Sequence, residues 1–185
     1  MSEITTAGEF QELDTTLSGG VTAVQIPYWN GSASDSQPGR LAAMVVMPTS
    51  ESLGTWLQGL DPTTWQALVG RLRPTAVRLT MPAFSLSSST DLNSALEALG
   101  IRTAFSPSAD FSGLSPDGLT LSLVKQDATL RVDRFGTVAS AATASVISPT
   151  AVFAATPITI DHPFLFVVRD TVTGTVLFAA TVEQP

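Results

Sequence analysis

Few residues in this sequence could carry acid–base or nucleophilic chemistry. The one histidine, His162, directly precedes Pro163, and a Ser–His–Asp triad would have to use it. We interpret His162 instead as a structural residue at the start of a buried strand. Asp110 and Asp117 flank a loop and could act as paired carboxylates, but aspartates in such positions more often cap turns. The sequence therefore predicts that the chain has no catalytic residue and is not an enzyme.

Metal, cofactor and nucleic-acid sites are also disfavoured by the composition. The sequence has no cysteine, and one histidine with scattered carboxylates does not form a closed metal shell. No glycine-rich phosphate loop occurs. Sixteen acidic residues against nine basic ones give a net charge of −7, whereas phosphate binding needs clustered Lys and Arg. We expect no metal, no cofactor and no nucleic-acid partner.

The longest charge-free stretch, residues 135–160, is long enough to cross a bilayer. It contains Pro149 and Pro157, no leucine, and many serines and threonines, so the sequence predicts no membrane partner. The first residues lack the charged-then-apolar layout of a signal peptide, and we expect none in this chain. The compartment is left unknown by these observations.

The most informative segment lies within this stretch, at residues 136–144. Its side chains are small and uncharged, and the next proline is Pro149. In an extended chain, alternate residues face opposite sides, and here both sides are small. Such a strand could slide between two existing strands without overpacking a core. A plain Ala/Ser/Thr linker explains the composition equally well.

The elements that must position this segment are mostly strands. Apolar runs and period-two alternation predict strands at residues 20–29, 40–48, 76–80, 84–88, 119–132, 164–168 and 175–181. Residues 41–47 form a continuous apolar run, which is typical of a strand buried on both faces. The turn-forming residues 170–174 predict a hairpin between the last two strands.

Three short helices are predicted from apolar residues at helical spacing, near residues 53–60, 65–72 and 92–99. Asp61 caps the second helix and Pro62 opens it, whereas Thr90 or Asp91 can cap the third, which Gly100 closes. Helices and strands come in separate blocks rather than alternating, so the predicted class is α+β, in one domain at residues 1–185.

Several motifs resemble the serpin family of serine protease inhibitors, in collinear order along the chain. An Asp-x-Pro-Phe core followed by an apolar strand is similar to the family signature, and an AFSxxADFSG stretch is similar to another family motif. The matching segments are residues 158–168, 104–113, 81–84, 132–137, 174–178 and 182–185. The composition, rich in Ala, Ser and Thr with one Lys, is typical of a bacterial-type member.

The resemblance implies a fold and a mechanism. The fold would be the C-terminal half of a serpin, with mostly antiparallel sheets, about three short helices and an exposed reactive-centre loop at about residues 134–157. A target protease would cleave this loop, which would then insert into a sheet and trap the protease. The implied hinge residues are Gly136, Thr137, Val138, Ala139, Ser140, Ala141, Ala142 and Thr143. The implied scissile-bond candidates are Thr150, Ala151, Val152 and Phe153.

The resemblance also implies the partners. No Arg or Lys lies in residues 145–155, which favours an elastase-like or subtilisin-like serine protease of small or aliphatic specificity.

Val138 stands where the family usually has Glu, and Gln126 where it usually has His. A complete serpin is about twice this length, so we expect impaired inhibition, with an N-terminal serpin half or self-association as further partners. The alternatives are a non-inhibitory serpin-like binding module and an inactive truncated fragment. A full-length parent would be extracellular.

Overall fold

The computed structural model describes residues 3–5, 11–29, 38–133, 136–137 and 155–185, which form two β-sheets and three short α-helices. Contacts between Cα atoms divide the chain into two units, Met1–Phe84 with Val132–Pro185 as the first and Ser85–Arg131 as the second. Within the described ranges, no helix is both long and apolar enough to cross a membrane.

The elements follow one another in blocks, as the α+β prediction requires. In chain order they are β1 Glu3–Thr5, β2 Gln11–Thr16, β3 Val21–Trp29, β4 Pro38–Pro48, α1 Leu53–Gln58, α2 Pro62–Gly70, β5 Arg73–Pro82, β6 Phe84–Asp91, α3 Asn93–Ala98, a 3₁₀ helix Thr103–Phe105, β7 Lys125–Asp133, β8 Gly136–Thr137, β9 Thr156–Thr159, β10 Phe164–Asp170 and β11 Val176–Val182.

One sheet has eight strands in the order β1-β5-β2-β3-β4-β10-β11, with β9 paired to β5. All its pairs are antiparallel except β5 with β9. The second sheet has the order β6-β7-β8. The predicted hairpin is confirmed, because β10 and β11 pair with Phe164 opposite Val182.

The apolar run of β4 lies at the centre of the large sheet, between β3 and β10. Val24, Val45 and Phe166 stand in one row across these three strands, and each is at most 1% exposed. On the opposite face, Met44 packs in a buried cluster that includes Leu53 of α1 and Leu68 of α2. The prediction that this strand is buried on both faces is therefore confirmed for residues 42–47, whereas Leu41 is 39% exposed.

The first two helices begin where the sequence predicts. The Asp61 carboxylate accepts a hydrogen bond from the Thr64 backbone N–H at 2.7 Å, and Pro62 occupies the first turn of α2. This bond holds the pKa of Asp61 below its ordinary value, because it favours the charged carboxylate. The cap fixes the start of α2 after the short connection from α1.

The predicted cap of the third helix is wrong. The N-cap residue of α3 is Leu92, whose side chain makes no capping hydrogen bond, and neither Thr90 nor Asp91 takes that position. The Asp91 carboxylate instead accepts from the backbone N–H of Asn93 at 2.8 Å, two residues ahead. This contact is a local turn, which aspartate forms as readily as a helix cap.

The strand predicted at residues 119–132 is shorter than expected, because β7 begins only at Lys125. For the residues just before β7, the side chain of Asn93 provides hydrogen bonds that a neighbouring strand would otherwise provide. Its amide donates to the Ser122 carbonyl at 2.9 Å and accepts from the Val124 N–H at 2.8 Å. A side-chain amide therefore satisfies backbone groups that a sheet ladder would otherwise take up.

Candidate reactive loop and its anchoring strands

His162 lies two residues before β10, and its side chain is 70% exposed. Its Nδ1 atom is 2.6 Å from Oδ1 of Asp161, a contact between adjacent residues. Among the described residues, no serine hydroxyl hydrogen-bonds to the imidazole. His162 therefore lies just before a buried strand, as predicted, with its ring on the surface, and its structural role stays a prediction.

The two loop aspartates make the contacts of turn residues. Asp110 accepts a hydrogen bond from the Ser112 backbone N–H at 3.1 Å, and hydrogen bonds from Ser112 hold its pKa below the ordinary value. Asp117 donates its backbone N–H to the Ser115 hydroxyl at 3.2 Å. Across the described ranges, no three His, Asp or Glu side chains are grouped to hold a metal ion.

The start of the predicted hinge lies beside β7. Gly136 and Thr137 form β8, an antiparallel partner of β7, with Gly136 opposite Asp133 and Thr137 opposite Val132. Val132 is 6% exposed, so this end of β7 is buried. The chain therefore reverses direction after β7 and returns along its edge.

The other predicted hinge residues and the four scissile-bond candidates lie outside the residues that the structure describes. These are the hinge residues Val138, Ala139, Ser140, Ala141, Ala142 and Thr143, and the scissile-bond candidates Thr150, Ala151, Val152 and Phe153.

The two faces of β7 differ in their exposure to solvent. Toward the start of the strand, Ala128 and Leu130 are half-buried on the face of Val132, while Asp127 and Thr129 on the other face are exposed. On its opposite side β7 neighbours β6, and Ser89 donates its hydroxyl to the Asp127 carboxylate across that pair. A segment added along β7 would therefore meet a half-buried face and a solvent-facing face.

The far end of the loop returns to the large sheet through β9, a strand that the sequence analysis missed. Residues Thr156–Thr159 pair in parallel with β5, with Thr156 opposite Val77, and the Ile160 N–H then donates to the Thr80 carbonyl at 2.8 Å. Ile158 and Ile160 are buried. The alternation of Ile158, Thr159 and Ile160 is the signal that could have identified this strand.

Comparison with known proteins gives matches to one protein family and to relatives named as protease inhibitors. The model of the family described as "Serpin (serine protease inhibitor)" matches residues 4–185. Plasminogen activator inhibitor 1 of Sus scrofa is 47% identical over 109 residues, which are 58% of this chain and 27% of that protein. Serine proteinase inhibitor 1 of Myxoma virus (strain Lausanne) is 33% identical over 167 residues, which are 89% of this chain and 42% of that protein.

Among solved structures, one titled "thyroxine-binding globulin complex with thyroxine" superposes with a TM-score of 0.73 at 27% identity. The match covers 96% of this chain and 45% of that chain. The present chain thus spans less than half the length of these three proteins. Both curated relatives carry the names of protease inhibitors and not of enzymes.

Proposed function

Because the chain belongs to the serpin family, we propose that it carries the reactive loop of a serine protease inhibitor that acts by loop cleavage and strand insertion. The observation that carries this proposal is the pairing of β8 with β7 at the point where the loop begins. A segment that already pairs with a sheet edge needs no new register to extend along it. If the hinge extended the pairing of β8 with β7, each further hinge residue would pair with the next residue of β7.

The register of β8 specifies what each hinge residue would meet in the inserted state. Each step forward from Thr137 is matched by one step back from Val132, since the pair is antiparallel. Ala141 would then stand opposite Ala128. Residues directly opposite one another share a face of the sheet, so Ala139 and Ala141 would join the half-buried face of β7.

The alternate hinge residues would join the other face. Val138, Ser140 and Ala142 would stand beside the solvent-facing residues of β7, where Ser140 meets Thr129. The hinge therefore fits this edge in two respects, since it is small where the sheet is half-buried and tolerates solvent where the sheet is exposed. A plain linker would require neither match.

The target that the loop favours is a serine-type protease with small or aliphatic specificity. Residues 145–155 contain no Lys or Arg, which makes a trypsin-like target unsuitable, and the scissile candidates are Thr150–Ala151 and Val152–Phe153. We propose an elastase-like or subtilisin-like enzyme.

The first test combines loop cleavage with hydrogen exchange. Elastase should cut first within residues 145–155, and mass spectrometry locates the cut. In the cleaved chain, the backbone amides of residues 138–143 should then exchange more slowly than unfolded amides, because strand addition hydrogen-bonds them. First cuts at residues 30–39, or exchange of these amides at the unfolded rate, would contradict the proposal.

Two matched variants separate insertion from simple ordering of the segment. Ala141→Arg puts a large charged side chain on the half-buried face and should remove the protection of residues 138–143. Ala142→Arg adds the same side chain one residue later, on the solvent-facing side, and should leave the protection in place. Equal effects of the two variants would rule out the register of β8.

A non-inhibitory binding module is the second candidate, and the solved structure titled as a thyroxine complex favours it. A loop without an insertion role has no need of an uncharged, proline-free hinge, whereas residues 136–144 are uncharged and contain no proline. If cleaved chain shows no protection at residues 138–143, the binding-module function becomes the better one.

A further inference from the structure

The chain just before β7 is hydrogen-bonded to the start of α3. The Leu92 N–H donates to the Val124 carbonyl at 2.8 Å, and the side-chain oxygen of Asn93 accepts from the Val124 N–H at 2.8 Å. The Asn93 amide group also donates to the Ser122 carbonyl at 2.9 Å. Two adjacent residues therefore hold residues 122–124 directly upstream of β7, although these residues are not part of a strand.

The position of Asn93 is fixed by a further contact. Its backbone N–H donates to the Asp91 carboxylate at 2.8 Å, and the residue is half-buried. An asparagine amide can donate to a carbonyl and accept from an N–H at the same time, as a backbone neighbour does in a sheet. Asp91 therefore holds the backbone from which the Asn93 amide reaches residues 122–124.

The strand that follows is buried at one end and exposed at the other in this chain. Lys125, Gln126 and Asp127 are exposed, whereas Val132 is buried. An exposed end of a strand opens readily, because few apolar contacts oppose its opening. The hydrogen bonds of Asn93 thus act at the end of β7 that burial does not stabilise.

We propose that Asn93 is a positioning residue, whose amide holds the start of β7 as an extended edge for the hinge. The inference rests on the proposed function, since it concerns the pairing of the hinge with β7. In the register of β8, residues 143–144 would stand opposite residues 125–126, at this same end of β7. Without the Asn93 amide, the far part of the hinge would lose an ordered partner, whereas the part near β8 would keep one.

Hydrogen exchange of the intact chain tests the role of Asn93 without cleavage of the loop. Asn93→Ala removes both side-chain hydrogen bonds and places a better helix former in α3, so a change at β7 does not come from a weaker helix. Those amides of residues 124–127 that are protected in the wild type should exchange about fivefold faster or more, the usual effect of a lost hydrogen bond. Ser94→Ala is the matched control, because this exposed serine is the next residue of α3, and it should change none of these rates.

Hydrogen exchange of the elastase-cleaved chain tests the link to the hinge. In Asn93→Ala, residues 142–144 should lose the protection that cleavage gives them in the wild type. Residues 138–140 should keep it, because they would pair toward the buried end of β7. A general loss of stability would instead remove protection from both groups, and urea unfolding of the variant measures that loss separately.

The outcomes distinguish this inference from the proposed function. A cleaved wild-type chain without protection at residues 138–144 would contradict the proposed function, and exchange at residues 124–127 of the intact chain would still show whether Asn93 holds β7. Unchanged exchange there, equal effects of Asn93→Ala and Ser94→Ala, or equal loss of protection in the two parts of the hinge would overturn the role of Asn93.

Discussion

Asp170 is the residue on which the last hairpin most depends. Its carboxylate accepts from the backbone N–H groups of Thr173 at 3.0 Å and Val172 at 2.8 Å, and it pairs with Arg40 at 2.7 Å. The hydrogen bond from Thr173 is the main cause that holds the pKa of Asp170 below its ordinary value, with Val172 and Arg40 acting in the same direction. One side chain thereby closes the β10–β11 turn and ties it to the start of β4.

We expect Asp170→Asn to lower the midpoint of thermal unfolding at pH 7. A carboxyl whose pKa is lower in the folded state stabilises the fold above its unfolded pKa of about 3.9. That contribution is lost as the pH falls through the folded pKa, so the difference between wild type and variant should shrink below about pH 4. Asp117→Asn is the control, because the Asp117 carboxylate has no partner among the described residues. A difference that persists unchanged at pH 2 would contradict this account.

At the scale of the element, the end of α3 is set by one backbone conformation. Gly100 has φ of +98°, which side chains disfavour. This conformation lets the Gly100 N–H reach the Glu97 carbonyl at 3.0 Å and the Ile101 N–H reach the Leu96 carbonyl at 2.9 Å. These two bonds are those of a Schellman motif, in which a residue of positive φ satisfies the last carbonyls of a helix.

Gly100→Ala should therefore destabilise the protein by about 1 kcal/mol, the usual cost of a side chain in the left-handed region. No atom lies within 4 Å of the added methyl group, so the cost comes from the backbone and not from a clash. Gly113→Ala is the matched control, because that glycine also has open space and does not have a positive φ. Urea unfolding of both variants measures the difference, and equal midpoints would show that the αL conformation carries no cost.

At the scale of the whole molecule, covalent trapping of a protease requires strands on both sides of the inserted loop. β7 supplies one side, and the described residues place no strand other than β8 along that edge of β7. If the hinge pairs with β7 on one side only, little strain is available to distort a bound protease. We expect elastase to cleave the chain as a substrate and to remain active.

A denaturing gel of the chain incubated with elastase decides this question. Cleavage products without a higher band are expected, and an active-site-blocked elastase shows which bands need catalysis. A band at the summed mass of chain and protease would mean that this chain, or its oligomer, is sufficient for trapping.

The sequence determined the elements whose signals are local. The cap Asp61-Pro62, the helix stop at Gly100 and the hairpin turn at residues 170–174 each depend on neighbours within a few residues, and all three occur as predicted. The continuous apolar run in β4 determined its burial on both faces for a similar reason, because apolar residues at successive positions leave no polar face for solvent.

The tertiary structure decided the features that depend on distant partners. The start of β7 at Lys125 follows from the amide of Asn93, more than 25 residues away, which takes the backbone partners of residues 122–124. The strand β9 exists because β5 offers it an edge, although only four residues take part. The register of Thr137 on Val132 is likewise a property of the pair of strands, since small residues at alternate positions specify two faces but not which neighbour they meet.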